Sequence, residues 1–471
     1  MLLSLAPIAL LVALLSGAVQ LFGADASYGP NQIALVIAAA AAGLVGLRRG
    51  LSWQAVQEGM VAGIQVGLGP ILILLAVGAL IGSWIIAGTV PAMIYHGTAL
   101  LNPAYYYAAS AIIAALASIS IGSSWSVAGT LGIGLIGIAD GFGLSLPLTA
   151  GAIISGAYFG DKLSPLSDTT NLAAACTSVD LFSHIRHMLW TTVPAFIIAL
   201  TVFLFLSEEA ARAPEQIAQM RRALSSQFDV GLHSFLPLLL MLGLVAFRVP
   251  AYPAILISTG IGCVFALLFQ PAVVESLALA AFPDSVAPKT QGIWMVLFDG
   301  YKSTSGDAAL DQLLSKGGMA SMLNTVWLII CALCFGGVLE RTGILKHLLD
   351  AVLAYVKRTG DLVLATTGGA IVTNLLAADQ FLAIAIPGRL FSTAYDQRGL
   401  SRLNLSRTLE DAGTVTSVLV PWNTCGAYMS ATLGVATFEY LPYAVFNYMC
   451  PCIAIALGYS LIAQKPQEAG L

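Results

Sequence analysis

The residues best suited to chemistry lie in one short run, Ser155–Asn171, whose polar members are Asp161, Lys162, Ser164, Ser167, Asp168, Thr169, Thr170 and Asn171. All of these except the lysine present an oxygen. Hard cations such as Na+ take oxygen ligands, and main-chain carbonyls add to them wherever a helix is interrupted. Pro165 supplies such an interruption, because it has no backbone donor and disturbs the turn before it. In hydrocarbon each unpaired backbone group costs several kcal/mol, so a break is tolerated only where it is buried in protein or lines a polar cavity. An Asp at mid-membrane costs roughly 2.5–3.5 kcal/mol on insertion scales, and two in one run argue for a use. Lys162 offsets one of them. The competing reading is a loop in which Ser167-Asp168-Thr169-Thr170 caps a helix starting near Leu172. The two readings are compatible, since half-helix N-termini commonly form part of a carrier site.

A second run repeats the arrangement. Glu410 and Asp411 are followed by Gly413, Thr414, Thr416 and Ser417, then by the break Pro421-Trp422-Asn423-Thr424. Asp161 and Asp411 are separated by the same interval as Ser167 and Ser417. A third polar piece, Thr373-Asn374 through Asp379-Gln380, has a counterpart in Ser120–Ser126 with Thr130. The candidate ion-binding residues are Asp161, Ser164, Ser167, Asp168, Thr169, Thr170, Asn171, Asp379, Asp411, Asn423 and Thr424. Of these, Asp161, Asp168, Asn171 and Asp411 are the expected Na+ ligands. Asp379 has helix capping as its competing role. A proton competes with Na+ at neutral pH only at an acid that titrates well above the exposed-Asp value of about 3.9, and burial and a like-charged neighbour are the two effects that achieve this.

Other reactive residue types point elsewhere. His184 and His187 flank Arg186 on an amphipathic stretch, which reads as a membrane-surface face; His96, His233 and His347 fall near helix ends. Cys331 and Cys334 have CxxC spacing but lie in an apolar helix without a second ligand pair, so packing is expected. Glu340 and Arg341 read as a helix-end ion pair. Gly160-Asp161 with Tyr395-Asp396 has the wrong order and glycine spacing for an intramembrane aspartyl protease, so no enzyme chemistry is expected. No cofactor is expected either, only transported Na+ and H+.

The elements that position these residues are membrane helices. The chain has 471 residues, of which 58% are hydrophobic and 9% charged, and its mean hydropathy is +0.87. Soluble domains carry about 25% charged residues. So little charge cannot solvate a water-facing surface, so the lipid bilayer is the expected surroundings. Each span needs roughly 20 apolar residues, which leaves room for about ten to thirteen transmembrane helices. The expected fold is an all-α polytopic membrane protein of two related halves with broken or re-entrant helices. Residues 1–206 form a first transmembrane repeat, 207–231 a polar linker, 232–464 a second repeat and 465–471 a short polar tail. Met1–Phe22 lacks a basic start and is expected to be a retained helix rather than a signal peptide. Carriers are commonly built from two such repeats with the site at their interface, and an inverted repeat is expected here. Arg48-Arg49, Arg341, Lys346 and Lys357-Arg358 mark cytoplasmic ends, whereas Gly23–Asn31 and Gly88–Asn102 lack Lys and Arg. The basic segment Arg389–Arg407 fits no simple alternation. A net charge of −4 and the absence of a basic run exclude a nucleic-acid partner. A homo-oligomer is compatible with the composition.

The run Gly151–Ala173 closely resembles the signature of the NhaC family of Na+/H+ antiporters. The resemblance continues through Ser124-Trp125 to Thr130, His184–Trp190, Gly337–Gly343, Asp379-Gln380 and Pro421–Thr424. It implies a secondary carrier of the bacterial cytoplasmic membrane, in a family that also includes exchangers of malate and lactate coupled to Na+ and H+. An organic-anion exchanger on the same scaffold is therefore the alternative, with Lys162 and Arg389 as the candidate cations for a carboxylate.

Overall fold

A computed structural model describes residues 2–23, 26, 28–207, 211–304, 308–353 and 356–460. The described residues are helical almost throughout, with no extended strand. Among the described residues, nine helices are long and apolar enough to cross a membrane, or up to eleven if two bent pairs each count as one span. A further helix of the expected set, Leu146–Leu163, carries the charged residues Asp161 and Lys162 inside the bundle. Neighbouring helices shield it from lipid, so it need not be apolar all round.

The outer helices show their apolar side chains to the surroundings. Val36, Ile37 and Leu44 are exposed on Pro30–Arg48, as are Ile197 and Ile198 on Leu181–Phe205. In water these faces would drive aggregation; in a bilayer they meet acyl chains. The inner helices approach through glycine. A Cβ on Gly156 would lie 2.0 Å from the Ala111 carbonyl oxygen, and one on Gly160 would lie 2.4 Å from that of Ala115. The helices Tyr106–Ile121 and Leu146–Leu163 therefore cross backbone to backbone. This crossing fixes the end of the second helix, where Asp161 and Lys162 sit.

Helix ends in the two halves recur at one constant interval. Ser145 and Ser401 cap the helices that begin at Leu146 and Arg402. Ser167 and Asn423 cap the ten-residue helices Asp168–Thr177 and Thr424–Leu433, which end at the left-handed residues Ser178 and Gly434. Left-handed Gly122 and Ala378 precede Ser123 and Asp379, the caps of helices starting at Ser124 and Gln380. In this register Asp161 falls opposite Ser417 and Asp411 opposite Ser155. Matching by residue type paired Asp161 with Asp411; matching by helix ends does not.

Residues 207–231 contain a helix, Pro214–Gln227, whose Met220 and Leu224 are buried, with Met220 lying against Gly141. The tail 465–471 lies outside the described residues. Arg341 pairs with Glu58 at 2.9 Å rather than with Glu340, because Gly59 brings its helix against that of Arg341. Arg402 pairs with Asp396 and reaches the Thr177 carbonyl, while Arg398 donates to the Val356 carbonyl. The basic segment that resisted a simple count is thus a reversal between helices, tied down by its own ion pair.

Candidate ion-binding site

The first group of polar residues forms where two helices start against the end of a third. Helix Leu146–Leu163 stops before Pro165, and its last turns carry Asp161 and Lys162. Ser124, at the start of its own helix, donates its backbone N–H (3.0 Å) and its hydroxyl (2.6 Å) to Oδ2 of Asp161. Ser167 caps the next helix and shares a 3.1 Å hydrogen bond with the Thr169 hydroxyl. Thr170 donates to the Lys162 carbonyl at 3.2 Å, and the buried Ser164 hydroxyl accepts from Leu166 N at 3.3 Å. Asn171 turns its amide back to the carbonyls of Pro165 and Ser167, at 2.9 and 2.7 Å.

Lys162 points away from this group and reaches Asp411 in the other half. The two side chains are fully buried and form a direct ion pair. Thr191 donates to Asp411 Oδ1 at 2.9 Å, and the Cys450 thiol lies 3.4 Å from the Lys162 ammonium. Arg407, 3% exposed, holds its Nε 3.8 Å from Asp411 Oδ2. Asp411 is therefore enclosed by two cations and two donors. It sits in a π-helical turn, Glu410–Thr414, of the kind that often occurs at functional sites. The extra residue in the turn re-aims the side chains that follow. Glu410, beside it, is wholly buried, and neither carboxylate oxygen has a hydrogen-bond partner among the described residues.

Expectation and structure differ at the histidines. His184 is fully buried and bonds Ser406 at 2.9 Å, and His187 lies 3.1 Å from Arg407 Nη1. Helix Leu181–Phe205 packs this face on Arg402–Leu409, so it is an interior contact rather than a membrane-surface face.

A second polar group forms at the matching breaks. Asp379 is buried and caps Gln380–Gln397, its Oδ1 accepting from Phe381 N (2.9 Å) and Leu382 N (3.0 Å), while Oδ2 has no partner. Asn423 Oδ1 accepts from Cys425 N at 3.0 Å, and its amide donates to Asn374 Oδ1 at 3.1 Å. The Asn374 amide donates to the Gly413 carbonyl at 2.6 Å. Thr424 N donates to the Ala378 carbonyl at 2.9 Å. This network joins the end of helix Thr359–Ala377 to the π-helical turn that carries Asp411.

Of the residues expected from sequence, Asp161, Ser167, Thr169 and Thr170 come together, and Lys162 links them to Asp411. Asp379, Asn423 and Thr424 form the second group. Asp168 and Asn171 lie at the surface. Ser124, Thr191, Arg407, Glu410 and Cys450 complete the surroundings. Arg407 carries the one local signal that could have found it, a position four residues before Asp411 on the same helical face.

One face of the molecule holds a cavity of about 510 Å³ whose lining includes Lys316, Ser430, Thr432 and Pro421. Helix Thr424–Leu433 separates it from the buried acids: Ala427 and Ser430 face the cavity, while Thr424 and Cys425 belong to the network above.

A helical membrane protein whose buried acids and cations meet at interrupted helices is built as an ion carrier. The sequence profile of the Na+/H+ antiporter family matches residues 156–461, and the chain belongs to this family. It is 35% identical to the Na+/H+ antiporter NhaC of Alkalihalophilus pseudofirmus, over 91% of this chain and 89% of the relative. It is 36% identical to a malate-2H+/Na+-lactate antiporter of Bacillus subtilis, over 92% and 89%. It is 34% identical to the arginine/ornithine antiporter ArcD of Halobacterium salinarum, over 99% and 94%.

Proposed function

We propose that this protein exchanges Na+ for H+ across a bacterial-type cytoplasmic membrane, by competition of the two ions for one excess negative charge at the buried site. The observation that carries this reading is the balance of buried side chains. Where the two halves meet, the buried acids Asp161, Glu410 and Asp411 are set against the buried cations Lys162 and Arg407 among the described residues, while the fourth buried acid, Asp379, is spent as a helix cap in the second group. An uncompensated charge inside a protein costs several kcal/mol, so the site favours one further positive charge. A proton or a Na+ ion supplies it, and either one alone completes the balance. Two related halves that meet at this site would then expose it alternately to the two sides.

The test is Na+-dependent proton movement in proteoliposomes containing the purified chain. A Na+ gradient is expected to create a pH gradient of opposite direction. Absence of any Na+-driven pH change in well-sealed vesicles would remove the reading.

Exchange of a small carboxylate together with Na+ and H+ is a second reading, with one observation in its favour. Lys162 is committed to Asp411 and Arg389 is exposed. Lys316, however, lines the cavity and has no ion pair among the described residues. If lactate or malate is required for the Na+-driven signal, this reading replaces the first.

A further inference from the structure

Glu410 is fully buried with both carboxylate oxygens unpartnered, and the Thr414 hydroxyl, one helical turn further on, is equally buried and equally without a partner. Buried polar groups are almost always satisfied, and a carboxylate left without any donor is among the most costly of them. Several unmet oxygens in one place imply a ligand that the protein does not itself provide.

The neighbours define that ligand. The helix Asp168–Thr177, whose first turn carries Thr169, packs both on the turn Glu410–Thr414 and on the end of Leu146–Leu163 that carries Asp161, and the Thr169 and Thr414 hydroxyls are the donors on the side of the Glu410 carboxylate. Thr169 is bonded to Ser167, which lies beside Asp161. Ser124 holds Asp161 by Oδ2. The donor set is two carboxylates and three hydroxyls, with no imidazole or thiolate. Hard oxygen donors of this kind suit an alkali cation and are poor ligands for softer metals. Asp411 is different. The Lys162 ammonium, the Thr191 hydroxyl and the Cys450 thiol gather at Oδ1, and Arg407 approaches Oδ2. Two fixed cations beside one acid repel a third.

From this geometry we infer that the transported Na+ is held between Asp161 and Glu410, with the hydroxyls of Ser167, Thr169 and Thr414 as further ligands. Asp411 is not a ligand; it holds the Lys162 ammonium away from the ion. This placement rests on the exchange reading and adds to it where the cation binds. Glu410 is thereby a ligand as well as a contributor to the charge balance.

The experiment uses the full chain in detergent and follows thermal unfolding against NaCl at constant ionic strength, with choline as the replacing cation. Na+-driven pH change in proteoliposomes is measured in parallel. Thr414→Val keeps the shape and removes the oxygen, and it is expected to raise the half-saturating Na+ concentration by about tenfold. Thr414→Ser is expected to reverse that rise. Glu410→Gln is expected to abolish the Na+-induced shift; should it fail to fold, the Thr414 pair carries the test. Wild-type half-saturation in Thr414→Val would overturn the placement while leaving exchange intact. No Na+ response in the wild-type chain would defeat the exchange reading, and the placement with it.

Discussion

The charge balance at the buried site leads to a specific double-mutant prediction. Asp411→Asn leaves Asp161 and Glu410 facing Lys162 and Arg407, which is neutral without any transported ion. Lys162→Gln leaves three acids facing Arg407 alone, two charges short. Each single change also breaks a fully buried ion pair. Breaking such a pair by removing one partner costs about 3–5 kcal/mol, equivalent to a loss of roughly a hundred- to several-thousand-fold in a rate governed by it. Lys162→Gln with Asp411→Asn leaves Asp161 and Glu410 facing Arg407, one charge short, as in the wild type. Initial rates of Na+-dependent pH change in proteoliposomes should therefore fall by about a hundredfold or more in each single variant. The double variant should recover to within roughly tenfold of wild type, since its remaining loss is that of hydrogen bonds such as the one from Thr191. A double variant that is folded by gel filtration but no faster than the slower single variant would refute the charge argument.

Ser124→Ala removes a 2.6 Å hydrogen bond that holds Asp161; at about 1.5–3 kcal/mol for a bond to a charged group, the KM for Na+ should rise by tenfold or more, with a smaller change in kcat. Asn423→Ala removes the acceptor of the Cys425 N–H and the Asn423 amide that donates to Asn374 Oδ1, so it should destabilise the protein by roughly 1–3 kcal/mol, read as a lower thermal midpoint in detergent. Gly156→Ala forces a Cβ to 2.0 Å from the Ala111 carbonyl and should sharply reduce the yield of monodisperse protein, whereas Gly17→Ala, with nothing within 4 Å, should not.

The sequence made the local parts of this site legible. Pro165 and the Ser167 cap mark a helix break from neighbouring residues alone, and the polar run between apolar helices marks burial. The partners of that run were not legible in the same way. Lys162 meets Asp411 across the two halves, and Thr191 and Cys450 come from two further helices. Spacing along the chain carries no information about such distant encounters. Asp168 and Asn171 were expected as ligands because of their residue types. They lie on the outer side of the short helix that Ser167 caps, where the Asn171 amide is taken up by two carbonyls of the preceding loop. Pairing the halves by residue type matched acid to acid; the helix ends follow a different register, because capping residues are set by backbone geometry and acids by chemistry. Glu410 stood beside Asp411 in the sequence, and only the fold shows that its two oxygens have no partner.

The one acid in excess of its cations among Asp161, Glu410, Asp411, Lys162 and Arg407 also bears on what the protein does when it is not transporting. A carrier that turned over empty would drag an unbalanced charge through its own low-dielectric interior, at a cost of several kcal/mol. A loaded carrier avoids that cost whichever ion it holds. On the proposed exchange, return without cargo is slow, and each crossing by one ion is tied to a return crossing by the other. The membrane is spared a leak of Na+ or of protons in cells that must keep both gradients standing.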